Sequence, residues 1–273
     1  GIMRPKIGLN ATFARTGARP GPIALVSQSG AVCTALIDWA WAAGFGFSTV
    51  ISMGAAIDLD VGEILDYLLY DPDTHSILLY LEGVRESRRF VSALRASARV
   101  KPIVAMKVGR HLSGQRAAVS HTGAMVGNDA VFDAVLRRSG VVRVRSYPEL
   151  FAAARVLAGD RLPTGDRLAI VTNGGGPGVM AADACVDRGV ALAAFDHSTY
   201  DKLNALLPPH WSHANPADIL GDATRERFDG AIEAVLADPG VDGVLTLFCP
   251  QSLVSAKTVA ESLIPRIRTA TKP

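Results

Sequence analysis

The sequence has few cysteines, few aromatic residues and almost no excess of charge. Its 273 residues include three cysteines and 6% aromatic residues, and the formal net charge is +2. Cys33, Cys185 and Cys249 lack the spacing of metal ligands, which predicts buried thiols in a reducing compartment. No apolar run approaches the roughly 18 residues of a membrane span, and no signal-peptide pattern opens the chain. These absences predict a cytoplasmic protein without a membrane segment.

Basic residues form one local cluster, made of Lys107, Arg110, His111 and Arg116. Neither interleaved aromatic residues nor a long basic stripe accompanies it, which argues against a nucleic-acid partner. A small cluster of this kind suits phosphate or a phosphorylated ligand. The remaining composition, with 49% hydrophobic and 20% charged residues, is typical of an α/β protein.

Short apolar runs alternate with helical patterns along the whole chain, which predicts βαβ units and mostly parallel sheets. The pattern restarts after a Gly- and Pro-containing stretch near residue 159. We therefore predict two tandem flavodoxin-like, doubly wound domains, at residues 22–158 and 159–273. Residues 1–21 are rich in Gly and Pro and are predicted to be a connecting segment.

The two predicted domains resemble each other in sequence, which indicates an internal repeat. Asp71 and Pro72 precede an apolar strand that ends at Glu82. Asp238 and Pro239 precede a second strand at the same spacing, and this alignment places Cys249 opposite Glu82. The halves are therefore predicted to share a scaffold but to differ in chemistry.

The first strand-to-helix turn consists of Ser27, Gln28, Ser29, Gly30 and Ala31. Ligands of open parallel sheets lie beyond the carboxyl ends of the strands, where free amides and the helix dipole favour phosphate. An ordinary serine N-cap explains the same residues equally well. The turn matches neither a nucleophile elbow nor a dinucleotide fingerprint.

The second strand-to-helix turn carries a stronger glycine signal. It comprises Asn173, Gly174, Gly175, Gly176, Pro177 and Gly178. One glycine would explain tight packing of this turn, whereas three in succession favour backbone that can approach an anion. The turn lacks the Lys and Ser/Thr of a P-loop, which argues against independent nucleotide binding.

A histidine stands among small residues in the segment 119–127, after an apolar strand candidate at 102–106. Thr122 and Gly123 follow His121 directly, so that the backbone could come close to a ligand there. A lone histidine is more often a surface or capping residue. Its interpretation depends on the other motifs of the chain.

Acidic and amide residues at other strand ends are further candidates. Glu82 ends a run of apolar residues, and its carboxylate could orient a loop histidine. Asp58 could do similar work, although acids that open a helix usually complement its dipole. Asn215 and Asp218 belong to a predicted Asx-type turn that could border a ligand. We identify no metal site.

Four motifs in one order resemble the ADP-forming acyl-CoA synthetases of the succinyl-CoA synthetase superfamily. They lie at residues 21–31, 79–83, 120–124 and 173–178. The chain resembles especially the long forms that are joined to a protein acetyltransferase domain. The resemblance implies a CoA-binding Rossmann-like domain before residues 1–21 and an ATP-grasp domain elsewhere.

The resemblance also implies roles for individual residues. His121 would be the phosphorylated nucleophile, and Glu82 would orient it. The helices that follow the first and second turns would hold the phosphohistidine at a CoA-side site and a nucleotide-side site. The phosphate-binding set implied in this way is Ser27, Gln28, Ser29, Gly30, Thr122, Gly123, Asn173, Gly174, Gly175, Gly176 and Gly178.

Three functional hypotheses follow. The first is the central part of an acetyl- or other acyl-CoA synthetase that uses CoA, ATP or ADP, and Mg²⁺ bound mainly by other domains. It would act on a small carboxylic acid or acyl-CoA, with homo-oligomerisation an open alternative. The second is a non-catalytic, acyl-CoA-sensing region of a lysine acetyltransferase. The third, an FMN-binding flavodoxin, is disfavoured by the scarcity of aromatic residues near the first turn.

Overall fold

A computed structural model describes residues 1–54, 56, 58–111, 128–159 and 161–273 of the protein. The chain divides into two compact units, Gly1–Asp160 and Arg161–Pro273. His121, Thr122 and Gly123 lie outside the described residues. Within the described parts of the chain, no helix has the length and hydropathy needed to cross a membrane.

The first unit contains a seven-stranded sheet with helices between its strands. Its strands are β1 (Ile2–Arg4), β2 (Leu9–Ala11), β3 (Pro20–Ser27), β4 (Phe47–Ser52), β5 (Ser76–Leu81), β6 (Ile103–Lys107) and β7 (Val142–Val144). Its helices are α1 (Gly30–Ala43), α2 (Val61–Tyr70), α3 (Ser87–Ala98), α4 (Asp129–Arg138) and α5 (Tyr147–Leu157).

The strand order of this sheet is β2-β1-β4-β3-β5-β6-β7, and the strands from β4 to β7 are parallel. Counted along the chain, these five parallel strands have the order 2-1-3-4-5 of flavodoxin-like folds. The direction of winding reverses between β3 and β5. Ligands of such sheets bind beyond the carboxyl ends of the strands at this reversal. Two strands flank the reversal: β3 ends at Ser27, and Glu82 directly follows β5.

The central strands of the first unit are buried on both faces. Residues 23–26 of β3 and 77–79 of β5 have no solvent exposure. Because helices cover both faces of a parallel sheet, its inner strands carry continuous apolar runs instead of alternating ones. The uninterrupted apolar sequence of β5 therefore follows from its central position.

The opening residues differ from the prediction of a connecting segment. Residues 2–11 form β1 and β2, joined by a 3-10 helix at Pro5–Ile7 and a turn at Gly8, whose φ is +69°. β1 pairs antiparallel with β2 and with β4. Met3 is 2% exposed and belongs to the core. The segment joins the sheet because its few apolar side chains find a place beside β4.

The second unit is built around a smaller parallel sheet. Its strands are β8 (Arg167–Thr172), β9 (Ala191–Leu192), β10 (Ala217–Asp218) and β11 (Gly243–Leu247). Its helices are α6 (Gly175–Arg188), α7 (His197–Leu206), α8 (Arg225–Ala237) and α9 (Ala256–Thr269). β8 lies between β11 on one side and β9 and β10 on the other. The predicted α/β fold with mostly parallel sheets is confirmed.

Two local boundaries in this unit differ from the prediction. The turn predicted at residues 173–178 is shorter than expected, because α6 begins at Gly175. Glycine and proline disfavour helix interiors, yet Pro177 lies in the first turn, where its missing N–H costs no hydrogen bond. The loop predicted at residues 215–218 contains the short strand β10.

Asp60 caps α2, and its removal tests how much this cap contributes to stability. Its carboxylate accepts hydrogen bonds from Val61 N at 2.6 Å and Glu86 N at 3.1 Å, and Glu63 completes a capping box. Since Val61 N opens α2 and Glu86 N lies at the start of α3, where amides lack an acceptor within their own helix, we expect Asp60→Ala to lower the free energy of unfolding by about 2 kcal/mol. Urea titration measures this change. Asp58→Ala, at an exposed position, is the matched control. Equal losses in the two variants would contradict the capping role.

Candidate functional site

The first candidate site lies where β3 ends and α1 begins. The buried Ser27 hydroxyl donates to Ser29 O at 2.8 Å and accepts from Ser29 N at 3.0 Å. Ser29 is the N-cap of α1, but its side chain makes no capping hydrogen bond, and the first turn carries no acidic residue. The amides of the first turn therefore start a helix whose positive end meets no carboxylate of its own. Such a terminus suits an anion.

The Gln28 side chain holds the backbone that follows β5. Its Oε1 accepts from Glu82 N at 2.5 Å and from Gly83 N at 3.1 Å, and its Nε2 donates to Gly83 O at 2.9 Å. Gln28 is 7% exposed and Glu82 is 6% exposed. We call this arrangement the amide clamp. It joins residues at the carboxyl ends of β3 and β5 and fixes the position of the Glu82 backbone.

The second unit repeats both features. Thr172 Oγ1 donates to Gly174 O and accepts from Gly174 N, each at 3.1 Å. Asn173 Oδ1 accepts from Cys249 N at 2.7 Å, and Asn173 Nδ2 donates to Cys249 O at 2.9 Å. A second amide clamp therefore joins the residues beyond β8 and β11. It confirms the alignment of Glu82 with Cys249 made from the sequence.

These contacts change the interpretation of three predicted phosphate ligands. Ser27, Gln28 and Asn173 are each at most 7% exposed, and their side chains bond to the protein backbone. Their side chains position the backbone, and contact of these residues with phosphate stays a prediction. From the sequence alone, a short polar residue after a strand looks the same whether its side chain binds the protein backbone or a phosphate. The start of α1, which is half-buried, and the start of α6, which is exposed, remain as surfaces for an anion.

The glycines of the second turn have different reasons to be glycine. A Cβ on Gly174 would lie 2.5 Å from Cys249 Sγ, and a Cβ on Gly178 would lie 3.1 Å from Thr172 Cγ2. Packing therefore explains both residues. A Cβ on Gly176 would meet no atom within 4 Å. Its bare backbone is not demanded by packing, which is consistent with room for a ligand at the start of α6.

The secondary candidates divide into structural and peripheral residues. Asn215 lies inside the second sheet, where its side chain bonds to Ile170 N, Leu168 O and Ala193 O at 2.8 to 2.9 Å. Asp218 Oδ1 accepts from Leu220 N at 3.0 Å, which is the predicted Asx turn. Its Oδ2 would lie 3.1 Å from a Cβ on Gly175, so this carboxylate borders the start of α6.

Known proteins share this arrangement of domains. The succinyl-CoA ligase like flavodoxin domain matches residues 20–157, and the Ligase-CoA domain matches residues 168–272. Acetate–CoA ligase [ADP-forming] I of Archaeoglobus fulgidus is 44% identical over 97% of this chain and 38% of its own length. The alpha subunit of acetate–CoA ligase [ADP-forming] I of Pyrococcus furiosus is 39% identical over 97% of this chain and 57% of its own length. The chain belongs to the ADP-forming acyl-CoA synthetase family.

A solved structure from this family has the same fold. The dinucleotide-forming acetyl-coenzyme A synthetase 1 of Ca. Korarchaeum cryptofilum, in complex with phosphate and ADP, is 34% identical and has a TM-score of 0.93. The match covers 98% of this chain and 58% of that one. The chain therefore spans between 38% and 58% of the length of these relatives.

Lys107 is a further candidate for a functional residue. In the sequence analysis it appeared only as a member of the basic cluster. It ends β6 in register with Leu81, and it is 2% exposed. Its Nζ donates to Gly109 O at 3.3 Å and lies 5.7 Å from the ring centre of Phe132. Burial lowers the pKa of the Lys107 ammonium, Asp129 opposes this shift, and Arg143 adds to it. Among the described residues, the Lys107 ammonium has this long hydrogen bond to a carbonyl, and burial of a cation with so little compensation is unfavourable.

A cavity of about 220 Å³ opens beside Lys107 at the carboxyl end of the first sheet. Gly83, which the amide clamp holds, and Asn128, which caps α4, both line this cavity. Lys107 and the clamped backbone therefore face the same space. Open parallel α/β sheets bind ligands at this edge.

The described residues do not offer a protein site for magnesium. In residues 1–54, 56, 58–111, 128–159 and 161–273, no group of three or more His, Cys, Asp or Glu side chains could hold a metal ion. The cysteines also differ in part from the prediction, because Cys33 and Cys185 are buried whereas Cys249 is half-buried.

Proposed function

We propose that the chain forms the phosphohistidine-relay part of an acyl-CoA synthetase that interconverts acyl-CoA, ADP and phosphate with acid, CoA and ATP. One observation carries the proposal. The same motif occurs in both units: a helix without a side-chain cap and without an acidic residue in its own first turn, beside a backbone segment held by an amide clamp. Two anion sites of one design suit a phosphoryl group that is received at one and delivered at the other.

Each step of the proposed reaction transfers one group. Phosphate displaces CoA from acyl-CoA, which gives an acyl phosphate and free CoA. The imidazole of His121 then attacks phosphorus, the bond to the acyl oxygen breaks, and the acid leaves as its carboxylate. ADP takes the phosphoryl group from His121, which restores the neutral imidazole and forms ATP. A covalent intermediate divides a difficult transfer into two easier ones.

The residues of the first unit support the transfer to His121. The first-turn amides of α1 stabilise the phosphoryl oxygens, because fixed donors need no reorganisation as charge develops. The Glu82 carboxylate orients the imidazole and stabilises its cationic, phosphorylated form. Gln28 acts through Glu82 and is a positioning residue. Lys107 adds positive charge to the same sheet edge.

The first turn of α6 forms the corresponding site in the second unit. Gly175 and Gly176 leave the backbone bare at the helix start, and Asn173 fixes the adjoining backbone. We propose that His121, which lies outside the described residues, receives the phosphoryl group at one site and delivers it at the other. Mg²⁺ enters with the nucleotide and is bound by the nucleotide-binding partner.

The acid, the partners and the domain limits are parts of this proposal. The relatives named above act on acetate, while others in the family act on 4-hydroxybutyrate or form trans-feruloyl-CoA. We propose a small carboxylic acid, a CoA-binding Rossmann-like domain and an ATP-grasp domain as partners, in the cytoplasm. Residues 22–158 and 159–273 would be the two ligase domains. Because these relatives are ligases, they favour this function over an acyl-CoA-sensing region of an acetyltransferase.

Labelling tests the relay directly. The protein is mixed with its ATP-grasp partner, Mg²⁺ and γ-labelled ATP, and acid-labile, base-stable label is measured. We expect label on the parent and background only on His121→Ala, since the nucleophile is lost. The matched control is His111→Ala, which removes an exposed histidine of the basic cluster. We expect this variant to retain the label. A parent without label, tested with a partner shown to bind ATP, contradicts the relay.

A further inference from the structure

The cavity of about 220 Å³ beside Lys107 lies between α3 and α4, at the carboxyl end of the first sheet. Apolar side chains form most of its wall. Several of them are only half-buried, so that a ligand can reach them: Val84, Val91, Phe132 and Val135. The wall therefore offers apolar surface for a hydrocarbon group, whose transfer from water is favourable.

Lys107 is the charged residue among the described residues that line this cavity. Its side chain is 2% exposed, and its Nζ donates to Gly109 O at the long distance of 3.3 Å. Asp129 raises the pKa of the Lys107 ammonium, but Asp129 Oδ1 already accepts from Arg143 Nη2 at 2.6 Å. An anion that enters the cavity would supply the compensation that this buried cation has little of.

The other polar groups of the lining decide which anion fits. Gly83 offers no free backbone group, because its N–H and its C=O both bond to the Gln28 side chain. Asn128 Oδ1 accepts from Ala130 N at 2.9 Å as a helix cap. A phosphate dianion requires several donors at once, whereas a carboxylate carries a single charge that one ammonium can match. The cavity therefore favours one carboxylate joined to an apolar group.

The volume limits the length of that group. At about 30 Å³ for each water-sized group, the cavity holds roughly seven non-hydrogen atoms, which is about the size of pentanoate. We propose that this cavity binds the acid substrate, a monocarboxylic acid of about two to five carbons, with its carboxylate on Lys107 Nζ and its chain against Val91 and Phe132. The inference rests on the proposed function and specifies where its acid binds.

This position suits the proposed reaction. Lys107 lies in register with Leu81, which Glu82 follows directly, and neighbouring strands lie about 4.8 Å apart. In the direction of ATP use, a carboxylate oxygen attacks the phosphorus of phosphorylated His121, the P–N bond breaks, and its electron pair returns to the imidazole. Lys107 holds the attacking carboxylate and offsets its repulsion by the phosphoryl group.

Saturation-transfer NMR with butyrate tests the site without turnover. We expect butyrate to bind the parent protein and to bind Lys107→Met about tenfold more weakly or worse, because a charge-assisted hydrogen bond is lost. Butyramide, which has the same shape without the charge, should also bind the parent about tenfold more weakly than butyrate. Lys101→Met removes a buried ammonium elsewhere and should bind butyrate as the parent does. Equal binding by the parent and Lys107→Met, or none by the parent, overturns the inference.

Two tryptophan variants separate filling of the cavity from a general effect. Val131 lines the cavity and is 62% exposed, whereas Val156 lies on α5 and is 60% exposed. Val131→Trp places a large ring in the cavity and should raise both the Kd and the KM for butyrate about tenfold or more. Val156→Trp adds the same ring at an equally exposed helix position and should keep the parental values. Equal effects of the two variants count against the site.

Labelling of His121 separates this inference from the proposed function. If His121 is labelled by ATP but Val131→Trp binds butyrate like the parent, the relay stands and the acid site is wrong. If no label forms, the relay fails, and butyrate binding that depends on Lys107 still supports a carboxylate site. Displacement of butyrate by an equal concentration of inorganic phosphate would make the cavity a phosphate site and overturn the inference.

Discussion

Gln28→Ala is expected to lower the rate of His121 phosphorylation by an acyl phosphate at least a hundredfold. The substitution removes the amide that binds Glu82 N, Gly83 N and Gly83 O. Without it the Glu82 backbone loses its fixed position, and a displacement of about 1 Å near reacting atoms lowers rates by roughly a hundredfold. Labelling with radioactive acetyl phosphate at saturating concentration measures this rate.

The same variant should also lose stability. Buried backbone groups left without a partner cost about 1–3 kcal/mol each, so that we expect the free energy of unfolding to fall by about 3 kcal/mol. Urea titration establishes that the variant is folded under the labelling conditions. A folded variant labelled at the parental rate would show that Glu82 needs no clamp.

Asn173→Ala provides the matched control, because it breaks the corresponding clamp in the second unit. Asn173 binds the backbone N and O of Cys249, and the substitution should destabilise the second unit to a similar degree. We expect it to retain labelling by acetyl phosphate and to lose labelling by ATP. Loss of both reactions in both variants would indicate a general folding defect and not two separate sites.

Lys107→Met is expected to separate stability from function. Because burial lowers the pKa of Lys107 and its bond to Gly109 O is long, replacement by an apolar chain should leave the free energy of unfolding unchanged or raise it. Loss of a positive charge at the carboxyl end of β6, beside the end of β5 that leads to Glu82, should lower the labelling rate by about a hundredfold or more. Stability and acetyl phosphate labelling are measured on the same preparation.

Lys101→Met is the control for this experiment. Lys101 is also buried, but its Nζ donates to Leu68 O at 2.5 Å and to Asp71 O at 2.7 Å, near the end of α2. Its removal takes one donor from each carbonyl, which leaves only the backbone bonds from Asp71 N and Thr74 N, and should destabilise the protein without slowing the relay. A Lys107→Met variant that is unstable but labelled normally would make Lys107 a structural residue like Lys101.

Local patterns predicted the parts of the fold that depend on local sequence. The continuous apolar run of β5 and the alternation of strands with helices identify a parallel sheet, because burial on both faces demands apolar residues throughout. Asp60 and Asp218 likewise have local signals, since a cap and an Asx turn involve neighbours in the chain. The strands at residues 2–11 were not predicted, because they are short and lie in a Gly- and Pro-containing segment.

The parts that could not be predicted depend on contacts between distant residues. Gln28 reaches Glu82 across 54 positions, and Asn215 reaches Leu168 across 47. A carboxamide after a strand has the same local signal whether it binds a ligand or another strand end. The burial of Lys107 depends on Phe132 and on the packing of α4, and nothing in its neighbours indicates it.

The amide clamps have a consequence for how the two halves could diverge after a duplication. Each clamp binds the backbone of the residue that lies beyond β5 in the first unit or beyond β11 in the second. The side chain of that residue takes no part in these hydrogen bonds. Evolution can therefore exchange that side chain while the neighbouring strands keep their register. A carboxylate stands at this position in one half and a thiol in the other. The duplicated fold thus keeps the backbone of this residue in the same place in both units, while its side chain can take on a different function in each.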